Sequence, residues 1–118
     1  MSEFERCWPW LAAALERGGS THSKAHIQGL IEAGDVQFHP LPHGAIVTCV
    51  LNHPTGIKEL NYWLAGGELN ELIRGEGLIT EWAKSIGCHR VSISGRHGWK
   101  RKFPGYRDAS TILVKELK

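Results

Sequence analysis

The chain has 118 residues, 42% of them hydrophobic and 22% charged, with 14 glycines. That length suits one core and not two, and the mix excludes a disordered or fibrous chain. Lysine and arginine number 14 against 12 acids, a net charge of +2, so bulk charge names no partner.

Ser2 and Glu5 have capping-box spacing, and Pro9 suits the opening of a helical turn. The run Trp10–Arg17 is rich in helix formers and stops at Gly18-Gly19. A second helix is expected from Thr21 or Ser23, with Ala25, Ile27, Leu30 and Ile31 at helical spacing and Gly34 as its stop. A short strand is expected over Val36–His39, after which Pro40, Pro42 and Gly44 break the chain. Ala45–Leu51 is a β-branched run that reads as a buried strand. Asn52–Gly56 is turn chemistry, and Ile57–Ala65 completes a hairpin.

A long helix then follows Gly66-Gly67. Leu69, Leu72, Ile73, Ile79, Trp82, Ala83 and Ile86 share one face, with Gly75 and Gly77 interrupting the polar side and allowing a kink. Gly87 ends it. Arg90–Ser94 alternates as a strand, Arg96–Phe103 reads as a loop or short helix, and Thr111–Leu117 reads as a closing strand. The order predicts an α/β (α+β) layer structure, a mixed central sheet flanked by helices, in one domain. Residues 1–35 are its N-terminal helices, and 36–118 its sheet with a long helix over 68–87.

Local charge is more informative than the total. No acid occurs from Trp82 to Arg107, which holds seven of the 14 basic residues; the rest of the chain carries seven against 12 acids. Within that stretch Arg96, Trp99, Lys100, Arg101 and Lys102 are candidates for binding an anion or a partner. Arginine supplies forked donors, lysine point charges, and Trp99 a face on which a base can stack. A solvated loop, or one pairing with acids of a partner protein, is the plainer alternative.

Three cysteines, Cys7, Cys49 and Cys88, form no dense framework and read as buried free thiols made in a reducing compartment. No apolar run approaches the roughly 18 residues that span a bilayer. Glu3 and Glu5 stand where a secretory signal would be basic, so none is expected. Seven histidines invite a metal reading: His22 and His26 share a helix face, and His39 and His43 flank a turn. With neither HExxH nor CxxC, no metal site is expected.

The segment Leu78–Ile93 (LITEWAKSIGCHRVSI) resembles the long helix and following strand of the GNAT acyltransferase superfamily. Gly105-Tyr106 before a closing strand is similar to that superfamily's end. Leu64–Leu69 (LAGGEL), Gly87-Cys88, Gly95–Arg101 (GRHGWKR) and Gly18–His22 (GGSTH) look like the short GNAT-like proteins of tailed phages and prophages. The resemblance implies a GNAT-like fold. Its first implied role is a non-catalytic virion-associated or assembly protein that contacts phage structural proteins, made in the bacterial host cytoplasm and carried into the virion. The alternative is an acetyl-CoA-dependent N-acyltransferase, and a third reading is a nucleic-acid-binding module using the basic loop.

For the enzyme, the superfamily pattern implies a phosphate loop at the start of the long helix. Arg74-Gly75-Glu76-Gly77 copies part of it, but Ile79 stands where Gly or Ala belongs, and the spacing to Gly87 is too short. Counting back from Gly87 places the loop at Gly67–Leu72, where Glu68 and Glu71 would repel a diphosphate. Gly66 and Gly67 are then the candidate cofactor-binding residues. Glu59 and Tyr62 are the candidate proton-shuttling groups, while Arg101 occupies the expected phenol position. On the first reading no cofactor is expected; on the second, acetyl-CoA.

Overall fold

The computed structural model describes residues 2–94, 99–109 and 112–117. Helix α1 spans Glu3–Arg17, α2 Lys24–Ala33, α3 Leu69–Ser85 and α4 Trp99–Lys102. Strands β1 (Gln37–Leu41), β2 (Gly44–Asn52), β3 (Lys58–Gly67) and β4 (Arg90–Ile93) form one sheet in the order β1-β2-β3-β4. The first three are antiparallel neighbours, and β4 lies parallel to β3. A parallel neighbour requires a crossover, which α3 provides.

The sheet is covered on both faces, and side-chain alternation along β2 serves both layers. Ala45 and Val47 join Cys7, Leu11, Leu15 and Ile27 under α1 and α2. Ile46 joins Leu60, Leu72, Ile79 and Phe103 under α3. The predicted α+β architecture is therefore the observed one.

The caps explain the helix starts. Ser2 accepts from the Glu5 amide at 3.1 Å, so α1 begins at Glu3 and Pro9 lies inside it rather than opening it. Ser23 opens α2 in a reciprocal box in which His26 stands where Glu or Gln is usual. Gly34 closes α2 at a φ of +80°, in the left-handed region that glycine enters without a side-chain clash.

Four expectations need correction. Pro40 does not break the chain; it lies within β1, an edge strand, where a missing N–H is tolerated. Gly75 is on the buried side of α3, not the polar side: a Cβ there would stand 3.3 Å from Ile46 Cδ1, so the glycine lets the helix approach the sheet. The helix runs through it unbroken. Ile73 and Trp82 are each 37% exposed, because the face that meets the sheet is Leu72, Gly75, Ile79 and Ala83. Of the predicted closing strand, residues 112–117 carry no sheet pairing and are exposed.

Candidate functional site

Among the described residues, strands β3 and β4 pair from Glu59↔Arg90 to Tyr62↔Ile93. The last link is the Ser94 amide donating to the Tyr62 carbonyl at 3.1 Å. Beyond it β3 runs on to Gly67 while β4 stops. On the other side of β3 the register slips: Thr48 faces Tyr62 and Val47 faces Leu64, which leaves Trp63 as the bulged residue. The two strands thus form a fork. A groove of about 470 Å³ opens there, lined by Ala14 and Arg17 from the end of α1, by Trp63 and Ala65 of β3, and by Ile93. Arg17 Nη2 donates a long bond, 3.4 Å, to the Ala65 carbonyl. His22, from the turn after α1, stands edge-on to the Trp63 ring with centroids 4.8 Å apart.

Glu59 is 8% exposed and sits below the fork. It accepts from Ser92 Oγ at 2.5 Å and Arg90 Nε at 2.6 Å, and His53 Nε2 lies 3.2 Å away. The Ser92 hydroxyl first, then Arg90 and His53, hold its carboxyl below the ordinary value of 4.5. Asn61, on the same face of β3, donates to Ser92 and Ser94 at 2.9 and 3.0 Å, and the Cys49 thiol points at Asn61 Oδ1. Burial, with help from Glu59, pushes that thiol up. A carboxylate held low accepts a proton poorly near neutral pH, so Glu59 is built to orient neighbours. Glu59→Gln should cost about 1–3 kcal/mol at neutral pH. Since the folded pKa is depressed, this stability is present above 4.5 and is lost as pH falls through the folded value. Urea denaturation at neutral and acid pH should show wild type and variant converging in acid.

Tyr62 is on the opposite face of β3, so the two candidate proton-shuttling groups are not brought together. Its hydroxyl donates to the Glu76 carbonyl at 3.1 Å and meets Thr80 Oγ1 at 2.9 Å. Burial pushes Tyr62 up to about 12. Tyr106 donates to Glu76 Oε1 at 2.9 Å and is likewise raised by burial first and then by that carboxylate.

Gly66 and Gly67 end β3 just before α3, and protein fills the space beside them. A Cβ on Gly66 would stand 2.8 Å from the Trp10 carbonyl oxygen, and one on Gly67 2.3 Å from Gly44 Cα. The Glu68 amide, the helix's N-cap, already donates to the His43 carbonyl at 2.8 Å. Glu71 accepts from the His43 amide at 2.6 Å and faces its ring Nδ1 at 2.7 Å. The His43 amide first, and then its ring, hold the Glu71 carboxyl below its ordinary value. His43, Glu68 and Glu71 bring three metal-capable groups within 4.8 Å of one another, a cluster that histidine spacing alone did not suggest. The other paired histidines are engaged locally: His22 with Thr21, His26 with Ser23, and His39 with Thr48.

Of the basic candidates, Arg96 lies outside the described residues. Trp99, Lys100, Arg101 and Lys102 form the single turn of α4, with Arg101 and Lys102 exposed. Sequence reasoning missed Arg17, His53 and the Arg90–Ser92 pair around Glu59. The last was legible: Arg90, Ser92 and Ser94 alternate against Val91 and Ile93, so they share the face of Glu59 and Asn61.

This architecture has known counterparts. The ribosomal-protein-alanine N-acetyltransferase of Brucella melitensis biovar Abortus 2308 superposes with a TM-score of 0.66 at 10% identity, over 97% of this chain and 92% of that one. TTHA1254 of Thermus thermophilus gives 0.60 at 11% identity, over 100% and 96%. A Trypanosoma brucei acetyltransferase gives 0.53 at 15% identity, over 99% and 96%. No protein-family model and no curated protein matches the sequence. The chain has the GNAT-like fold: a single α+β domain with a four-stranded mixed sheet between helices. None of these three counterparts is described as a phage or virion protein. Among the described residues, no helix is long and apolar enough to cross a membrane.

Proposed function

We propose that the chain is an N-acyltransferase that takes an acyl thioester, acetyl-CoA in the simplest case, into the β3–β4 fork. The observation that carries this reading is the fork itself: from Trp63 onward one edge of β3 has no strand partner among the described residues and borders a groove of about 470 Å³. An extended arm with amide groups can pair with such an edge as an added strand would. The GNAT-like fold, shared with acetyltransferases, supports the same choice.

The fit is good for the arm and poor for the diphosphate. At the start of α3 the first amide is spent on His43, and Glu68 and Glu71 oppose an anion. Among the described lining residues, the positive charge belongs to Arg17. A bound thioester supplies an acyl group activated toward an amine. The chain's part is to hold the arm along β3, to meet negative charge with Arg17, and to present the Glu59–Asn61–Ser92 row below.

Calorimetric titration with acetyl-CoA tests this. Wild type should bind in the micromolar range. Arg17→Ala should weaken binding about tenfold, the loss of one charge-assisted contact. Ala14→Phe should fill the groove and abolish binding while melting stays unchanged. No binding by wild type overturns the proposal. That result would favour a role through protein contacts, the reading to which the acidic start of α3 lends weight.

A further inference from the structure

The sheet has two edges, and only one is protected. β1 carries Pro40, which has no N–H to offer a new neighbour. β4 has neither proline nor lysine, and no described residue pairs with its outer edge. At the same time Ile112, Leu113, Val114 and Leu117 are 85, 89, 78 and 88% exposed. This is a strand-forming run without a strand to join.

Among the described residues, the segment is not seated on its own β4. Tyr106 is fixed on the α3 side by its bond to Glu76. Ile112 lies at the groove beside Arg17, Thr21 and Ser94, past the end of β4. Residues 113–117 are exposed and carry no sheet pairing.

We propose that residues 112–117 pair with the outer edge of β4 in a second copy of the chain, and that its segment pairs reciprocally with the first. Each copy has one free edge and one free strand, so a two-fold exchange uses both and closes. Six residues span about 20 Å and the four of β4 about 13 Å, so the segment covers the edge. With Ile112 and Val114 on the face of Val91 and Ile93, the apolar layer under α3 extends by one strand. Leu113 and Leu117 then fall beside Ser92 and Arg90. The exchange does not rest on the acyltransferase reading.

Sedimentation equilibrium on the full chain, with amide exchange on the same samples, provides the test. Wild type should sediment at twice the chain mass of 13.1 kDa. The amides of Val91 and Ile93, which face away from β3, and those of 113–117 that face them should be protected, and dilution should remove that protection. Val114→Pro, which removes a ladder donor, should halve the mass while unfolding stays cooperative and its midpoint no longer depends on concentration. Leu113→Lys should act likewise and guards against a proline-specific effect. A wild type that is monomeric at every concentration overturns the proposal. So does a dimer that survives both substitutions, or protection of 113–117 that persists in a monomer.

Discussion

Alanine at Gly67 is expected to destabilise the fold by about 3–5 kcal/mol, combining a strained backbone with a steric clash. Gly67 has a φ of +116°, where an added side chain is strained whatever the space around it. There is also no space: its Cβ would lie 2.3 Å from Gly44 Cα and 2.4 Å from the His43 carbonyl oxygen. Those atoms are backbone and cannot rotate away. Gly44 faces Gly67 across the β2–β3 ladder, and a Cβ on Gly44 would meet the Gly66 carbonyl oxygen at 2.8 Å. The glycines therefore close the hairpin where it feeds α3. Gly77→Ala is the control. It is helical with nothing within 4 Å of the added carbon, so alanine there should stabilise by up to about 1 kcal/mol. Urea denaturation should move the two midpoints in opposite directions. A small loss at Gly67 would mean that the strands can separate there without cost. A charged residue at Gly67 is accordingly no clean probe of cofactor binding, since it would report on folding first.

Leu11→Ala should cost about 3 kcal/mol and weaken acetyl-CoA binding as well. Leu11 is fully buried at the middle of α1, in the cluster with Cys7, Leu15, Val47 and Leu64. Truncation removes its transfer energy and leaves a cavity that a helix held against a sheet cannot fully close. The same helix supplies Ala14, Leu15 and Arg17 to the groove. Loosening its seat moves that wall, so denaturation and titration should respond together. Ile27→Ala, equally buried but under α2, should lower stability to a similar degree while sparing the groove residues. Equal losses of binding in both variants would show that global stability, not the position of α1, sets affinity.

Much of the fold was legible because local rules and burial agree. Ala45–Leu51 and Ile57–Ala65 are dense in strand formers around a turn, and they pair as β2 and β3. The long helix was legible as an element but not in its orientation. Trp82 and Ile73 look like core residues by hydrophobicity, yet the helix meets the sheet at Gly75, so the face that turns inward is that of Leu72, Gly75, Ile79 and Ala83. The segment 112–117 misled for a related reason. Its composition favours a strand, but a strand exists only where it pairs, and composition does not fix the pairing.

The candidate site was legible only in part. Glu59 and Tyr62 were correctly put on one strand, but their odd spacing of three sends them to opposite faces. The acidic character of Gly67–Leu72 was visible, whereas its backbone tie to His43, 24 or more residues earlier, was not. Arg17 carries no motif at all; a helix length and a crossing angle bring it to the groove.

The mixed sheet also has an order of assembly built into it. β1, β2 and β3 are joined by short turns, so closing them costs little chain entropy. β4 is delivered only across the whole of α3, and four residue pairs hold it to β3. That parallel ladder is the seam at which the domain can part while α1 and the antiparallel meander stay shut. The fork is the open end of this seam. On the acyltransferase reading, parting of the seam would widen the groove and so extend the length of acyl chain it can take.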